Sequence, residues 1–174
     1  MADPSRDDGD PADVPAEPIT QLVDHVFVLA GQFLRAGDAI TAPEQLTAAR
    51  WLVLGALRDG PLSPAEIARR RGLQRQSVRE SVLRLEKSGH VARVPGTDRR
   101  TFLVALTAQG RTALERIEPR RVRWADETAA LVSPEDLDTA VTVMARLRAA
   151  WSARELTRQF RLTPQEWHSS SELF

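Results

Sequence analysis

The chain has 174 residues, enough for one domain with a substantial core, and a formal net charge of zero. It has no cysteine, which excludes disulfides, thiolate metal sites and cysteine-based redox sensing. The N-terminus lacks the basic-then-apolar pattern of an export signal, and the longest apolar runs, such as Trp51 to Leu54, are too short to span a bilayer. The expectation is a cytoplasmic protein with no membrane contact.

The neutral total conceals an uneven distribution. Residues 1–17 hold six acids and one Arg, a local net of −5. Residues 62–100 hold nine Arg and one Lys against four acids, a local net of +6. A basic surface of that kind suits phosphates.

In chain order, residues 1–18 read as a disordered acidic leader, too poor in apolar side chains to offset ordering entropy. A first helix is predicted from about Ile19 to Gly37, with Leu22, Val23, Val26, Phe27, Ala30, Phe33 and Leu34 in one stripe. A second, about Thr47 to Arg58, is apolar on most sides and so belongs at the centre. Asp59-Gly60-Pro61 stops it.

Ser63-Pro64-Ala65-Glu66 starts a short helix, with Ser63 as cap and Glu66 completing a capping box; Gly72 ends it. The next helix runs from about Arg75 to Ser88, with Val78, Val82 and Leu85 buried. Two short helices joined by a tight Gly-containing turn make a helix-turn-helix pattern. After Gly89 come a strand, a turn bearing Asp98, Arg99 and Arg100, and a returning strand from Phe102 to Leu106. That is a β-hairpin wing.

Thr107 caps a long helix carrying Leu114, Ile117 and Trp124, which Pro119 is expected to kink or break. Ser133-Pro134-Glu135-Asp136 starts another, with Leu137, Val141, Met144, Leu147 and Trp151 in phase. Thr163-Pro164-Gln165-Glu166 repeats the signal in the tail. The expected fold is mostly α with a small β-hairpin wing. A winged helix-turn-helix lobe covers about 47–106, helices about 19–37 and 107–151 form a dimerisation region, and 152–174 is a tail.

The candidate DNA contacts follow from this order. Gln74, Arg75, Gln76, Ser77 and Arg79 open and face the second helix of the pair, where Gln suits adenine and Arg suits guanine. Arg84, further along, suits a phosphate. At the hairpin tip Arg100 suits a narrow minor groove, Asp98 can orient it, and Arg99 points to a phosphate. A solvated charged face and an ordinary polar turn are the plainer alternatives; helix, turn, helix and wing in sequence favour DNA.

With Leu73, Ser77-Val78, Val82, Leu85-Glu86, Gly89, Val91, Arg93, Asp98-Arg99-Arg100, Val104, Leu106-Thr107 and Gly110 so spaced, the chain resembles the MarR family of bacterial winged-helix regulators. The resemblance covers about Ile19 to Trp151. It implies a homodimer with interlocking terminal helices and winged lobes straddling a pseudo-palindromic double-stranded site. It also implies repression of nearby genes, relieved by small aromatic or phenolic ligands. The positions matching the family's contacts are Gln74 to Ser77, Asp98 and Arg100. Three positions depart from the family pattern. Ser81 replaces a bulky apolar residue, Leu83 takes a normally polar place, and His90 stands where an aliphatic residue usually follows the glycine.

The resemblance also implies an effector crevice between the dimer helices and the lobe. His25, Phe33, Arg50 and Trp51 fall on the two helices that would line it, the first and third suiting an acidic or phenolic group. Core packing is the plainer role for each aromatic. No metal or cofactor is expected: the histidines, at 25, 90 and 168, lie far apart without a nearby ligand partner. No nucleophile motif or phosphate loop suggests an enzyme. The competing readings are a winged domain used only for protein contacts and a constitutive DNA-binding regulator without an effector.

Overall fold

The computed structural model describes residues 16–96 and 102–150. Its helices are α1 (Ala16–Thr41), α2 (Ala48–Ala56), α3 (Pro64–Arg71), α4 (Arg75–Lys87), α5 (Ala108–Ala129) and α6 (Pro134–Ala150). A 3-10 turn, Ala42–Glu44, follows α1. Strands β1 (Val91–Pro95) and β2 (Phe102–Leu106) pair antiparallel, Val91 opposite Leu106 and Pro95 opposite Phe102. Leu62, between α2 and α3, adds a bridge to Val104 on the other side of β2, with both backbone bonds at 2.8–3.0 Å. Two compact units divide the chain, Met1–Arg121 and Val122–Phe174.

In the first unit α2 is central, as its composition predicts. It packs against α1, α3 and α4, and its Val53 and Leu54 are buried, as are Leu57 just after it, Ile67 of α3, Val78, Val82 and Leu85 of α4, Val91 and Val104 of the hairpin, and Leu114 and Ile117 of α5. Each such side chain stabilises the fold by about 1.5–3 kcal/mol. The same stripe that anchors α4 therefore turns its opposite face outward.

The ends of α1 differ from expectation. It begins at Ala16, inside the stretch read as leader, with Pro18 in its first turn. The ring is tolerated there because the first backbone N–H groups have no helical partner. The helix also passes Gly37 and ends at Thr41. Gly37 is a contact point: a Cβ there would stand 2.8 Å from the Ala48 Cβ, so its bareness lets α1 touch α2. Asp38 Oδ1 accepts from the Ala48 backbone N–H at 2.7 Å, adding a cap to α2 beside Thr47. The buried Thr41 hydroxyl lies 2.9 Å from the carbonyl oxygens of both Gly37 and Leu46.

Further up α1 the expected stripe is not covered within the described residues. Phe27 is 73% exposed, and Val26, Phe33 and Leu34 are exposed as well. In the second unit Ser133 caps α6 by accepting from Asp136 N–H, and Leu137, Val141 and Met144 are exposed. Trp151 lies outside the described residues, as do the rest of the leader and the tail.

Two local expectations need correcting. Helix α5 runs unbroken through Pro119. Pro119 and Glu115, whose carbonyl loses its helical donor, are both exposed, so that carbonyl is open to solvent. The capping box at α3 is half-formed. Ser63 Oγ accepts from Glu66 N–H at 3.2 Å, but the Glu66 carboxylate turns to Arg69 and Arg70 instead of back to the cap.

Candidate nucleic-acid interface

Gly72 ends α3 in the left-handed conformation (φ 63°), and Leu73 N–H returns to Ala68 O at 2.9 Å. Gln74 then takes the cap position of α4 but makes no side-chain cap bond. The first-turn N–H groups of α4 thus keep no side-chain acceptor, the arrangement that suits an anion such as a phosphate.

Gln74, Arg75, Gln76, Ser77, Arg79 and Arg84 are all exposed on α4, while Val78, Val82 and Leu85 hold it to the core. Arg75 and Arg79 stand one turn apart on one flank, and Gln76 and Arg84 lie on the middle of the outward face. Between them sits Glu80, which the sequence reading passed over. Its Oε1 accepts from Gln76 Nε2 at 3.0 Å. One amide proton of Gln76 is thereby used, and the other proton and Oε1 remain for a bidentate contact. The four-residue spacing of Gln76, Glu80 and Arg84 was the available signal.

Glu66 holds Arg69 and Arg70 at the end of α3, and those hydrogen bonds, Arg69's foremost, draw its carboxyl down to about 2. On the hairpin, Arg93 bonds Glu86 of α4 at 3.1 Å and stacks over the Phe102 ring, 4.5 Å from its centre. Arg93 thus ties both strands of the wing to α4. Asp98, Arg99 and Arg100 lie outside the described residues.

The MarR family model matches residues 44–101, from the 3-10 turn to the wing. Over 139 residues the chain is 33% identical to an uncharacterised protein of Mycobacterium tuberculosis, covering 79% of this chain and 97% of that one. It is 32% identical over 117 residues to the transcriptional activatory protein BadR of Rhodopseudomonas palustris, covering 64% and 67%. The chain belongs to the MarR family. Among solved folds, a mutant MarR of E. coli in complex with operator DNA superposes with a TM-score of 0.68 at 20% identity, covering 77% and 98%. Sco5413, a MarR family transcriptional regulator of Streptomyces coelicolor, gives 0.64 at 26% identity, covering 76% and 94%. This MarR protein is a DNA-binding transcriptional regulator, and its fold is that of such regulators, not of an enzyme. Among the described residues no helix is long and apolar enough to cross a membrane.

The departures from the family pattern now have places. His90 is buried like the aliphatic residue it replaces, at 9% exposure. Its Nδ1 pairs with Ser88 Oγ at 2.8 Å, just beyond the end of α4. Around it the end of α4 is stapled to the start of α5. Thr107 Oγ1 donates to Gly89 O at 2.7 Å, Thr107 N–H to His90 O at 3.1 Å, and Gln109 Nε2 to Ser88 O at 3.0 Å. A cleft of about 390 Å³ beside the ring is lined by Glu44 and Gln45, and by Gln109 and Arg116 of α5.

Burial, and then the Arg50 guanidinium of α2, push the His90 imidazole below its ordinary 6.5, against a smaller opposing pull from Glu44. The unfolded chain therefore binds the His90 proton more readily than the folded one. Stability from this group is complete above pH 6.5 and declines as the pH falls from there to the depressed folded value. Urea midpoints should drop between pH 7.5 and the acid end of that window, and His90→Gln should flatten the drop. An equal drop in both proteins would remove His90 from the account. The Glu66 and Glu118 carboxyls, held near 2, add their own loss only below about pH 4.5, and His90→Gln leaves that part unchanged.

Of the four expected crevice residues, Trp51 lines a cleft formed by described residues. That cleft, about 340 Å³, is bounded by Trp51, Leu52 and Gly55 of α2, Arg71 of α3 and Glu118 and Arg121 of α5, with Arg58 nearby on the loop. Hydrogen bonds from Arg121 and then Arg58 hold the Glu118 carboxyl at about 2. Arg50 turns elsewhere, its Nη1 reaching Gln45 O at 3.5 Å. His25 and Phe33 are on exposed turns of α1. Among the described residues no group of His, Cys, Asp and Glu could hold a metal ion.

Proposed function

We propose that this protein is a homodimeric repressor that places α4 of each copy in a major groove of a pseudo-palindromic operator. The observation that carries the reading is α4 itself: one face belongs to the lobe's core, and the other is a polar, cationic row that no element covers among the described residues. The wing tip, Asp98 to Arg100, supplies the minor-groove contact. Arg100→Ala lowers operator affinity, and Asp98→Ala lowers it less. The double mutant loses less than the sum, because the two act as one unit. Strict additivity would leave Asp98 a bystander.

The apolar side chains left exposed on α1 and, in the other unit, on α6 support a dimer, since an uncovered apolar helix face marks an interface. Sedimentation of the full chain at micromolar concentration gives a dimer; a monomer contradicts the reading. The Trp51 cleft supports relief by a small aromatic or phenolic acid. It offers a ring to stack on and, in Arg71, a guanidinium that no carboxylate holds among the described residues. Benzoate at constant ionic strength is the probe; failure of such acids to release operator DNA leaves a constitutive regulator. Because BadR is named an activatory protein, activation is the second reading, and a promoter–reporter fusion separates the two signs.

A further inference from the structure

Leu83 is an apolar side chain standing out of the reading helix. It is 55% exposed, while Val82 beside it is buried in the core. At that exposure it is not part of the core that the described residues form.

What surrounds Leu83 narrows what covers it. Arg79 stands one turn before it and Lys87 one turn after, both exposed, with Arg84 adjacent in sequence. Residues four apart on a helix share a face. A protein partner seated on Leu83 would have to bring an acid of its own to each of these cations. Of the nearby acids, Glu80 already accepts from Gln76, and Glu86 bonds Arg93. DNA meets both demands at once. Its phosphates take Arg84 and Lys87 at the groove edges, its base edges take Arg79, and its floor carries one apolar group, the thymine C5-methyl. Polar base edges offer nothing to an isobutyl side chain.

We infer that Leu83 is a specificity-determining residue that reads a thymine methyl in each half-site. The inference rests on the proposed placement of α4 in the major groove. It adds a base preference that Gln and Arg contacts alone would not give: thymine over cytosine or uracil at one position. Removing one methyl from such a contact costs roughly the burial of one carbon, about a fourfold loss of affinity per half-site.

The test uses the full chain and duplexes selected by it from a random library. Each thymine of the selected site is replaced in turn by deoxyuridine, which deletes only the methyl. The wild-type protein is expected to lose about fourfold at one thymine and little at the others. Leu83→Ala and Leu83→Gln should bind the thymine and uracil duplexes equally at that position. Both variants keep the fold, checked by circular dichroism, because the side chain is not part of the core. A wild-type protein indifferent to every uracil substitution overturns the inference, and so does a uracil effect that persists in both variants. In either case a selected consensus would leave the operator-binding reading intact. If no consensus emerges from the library, the operator-binding reading itself fails, and the inference with it.

Discussion

Gly110→Ala is expected to destabilise the protein by about 3 kcal/mol. In an ordinary helix the change would help, since alanine outranks glycine by about 1 kcal/mol. Here a Cβ would overlap the His90 carbonyl oxygen and crowd the Leu106 side chain. The obstacle is backbone, already fixed by its bond from Thr107 N–H, so it cannot swing aside as a side-chain tip would. Relief requires α5 to move off the end of α4, which breaks the Thr107 and Gln109 staples. Urea unfolding measures the loss directly. Gly31→Ala on α1 is the matched control: its Cβ meets only the Arg35 side chain at 3.6 Å, so the propensity gain stands alone and the midpoint should rise. Equal shifts in both variants would mean that the α4–α5 junction is not packed as described.

Arg75→Ala and Arg79→Ala are expected to lower operator affinity by about 1–3 kcal/mol each, roughly fivefold to more than a hundredfold, and to relax discrimination. Random duplex should suffer far less. Arg84→Ala should weaken all sequences alike and flatten the salt dependence, as a lost phosphate contact does. All three guanidiniums are exposed, so none of the variants should change the unfolding midpoint by much. Uniform losses on operator and random DNA from all three would show that α4 binds by charge only.

The lobe was legible because its signals are local. Ser63 and Gly72 bracket α3, and Val78, Val82 and Leu85 fix which way α4 faces. Hairpin strands and the Thr107 cap followed from adjacent residues in the same way. What was missed depends on residues brought together from a distance. Asp38 caps Ala48 from ten positions away, which no capping pattern anticipates. Gly37 read as a stop and is a helix contact. Gln45 adopts the left-handed conformation (φ 55°) without being glycine, so the 3-10 turn before it carried no flag. Pro119 was weighed by the bond it removes, without the exposure of Glu115, which leaves the freed carbonyl open to solvent. Of the site, the outward residues of α4 could be named from helical phase. Glu80 was overlooked because an acid on a basic helix looks like noise until its bond to Gln76 is seen. The clefts could not be drawn from sequence: Trp51 and Arg50 are neighbours in the chain but turn to different surroundings.

The central claim is that α4 reads DNA sequence. Its most direct test is equilibrium binding of the full chain to its own upstream duplex and to random duplex, from about 50 to 200 mM salt. The account predicts random-duplex binding that falls steeply with salt, and a specific site held roughly a thousandfold or more tighter throughout. Equal affinity for both duplexes, or no salt-dependent binding to either, would contradict it.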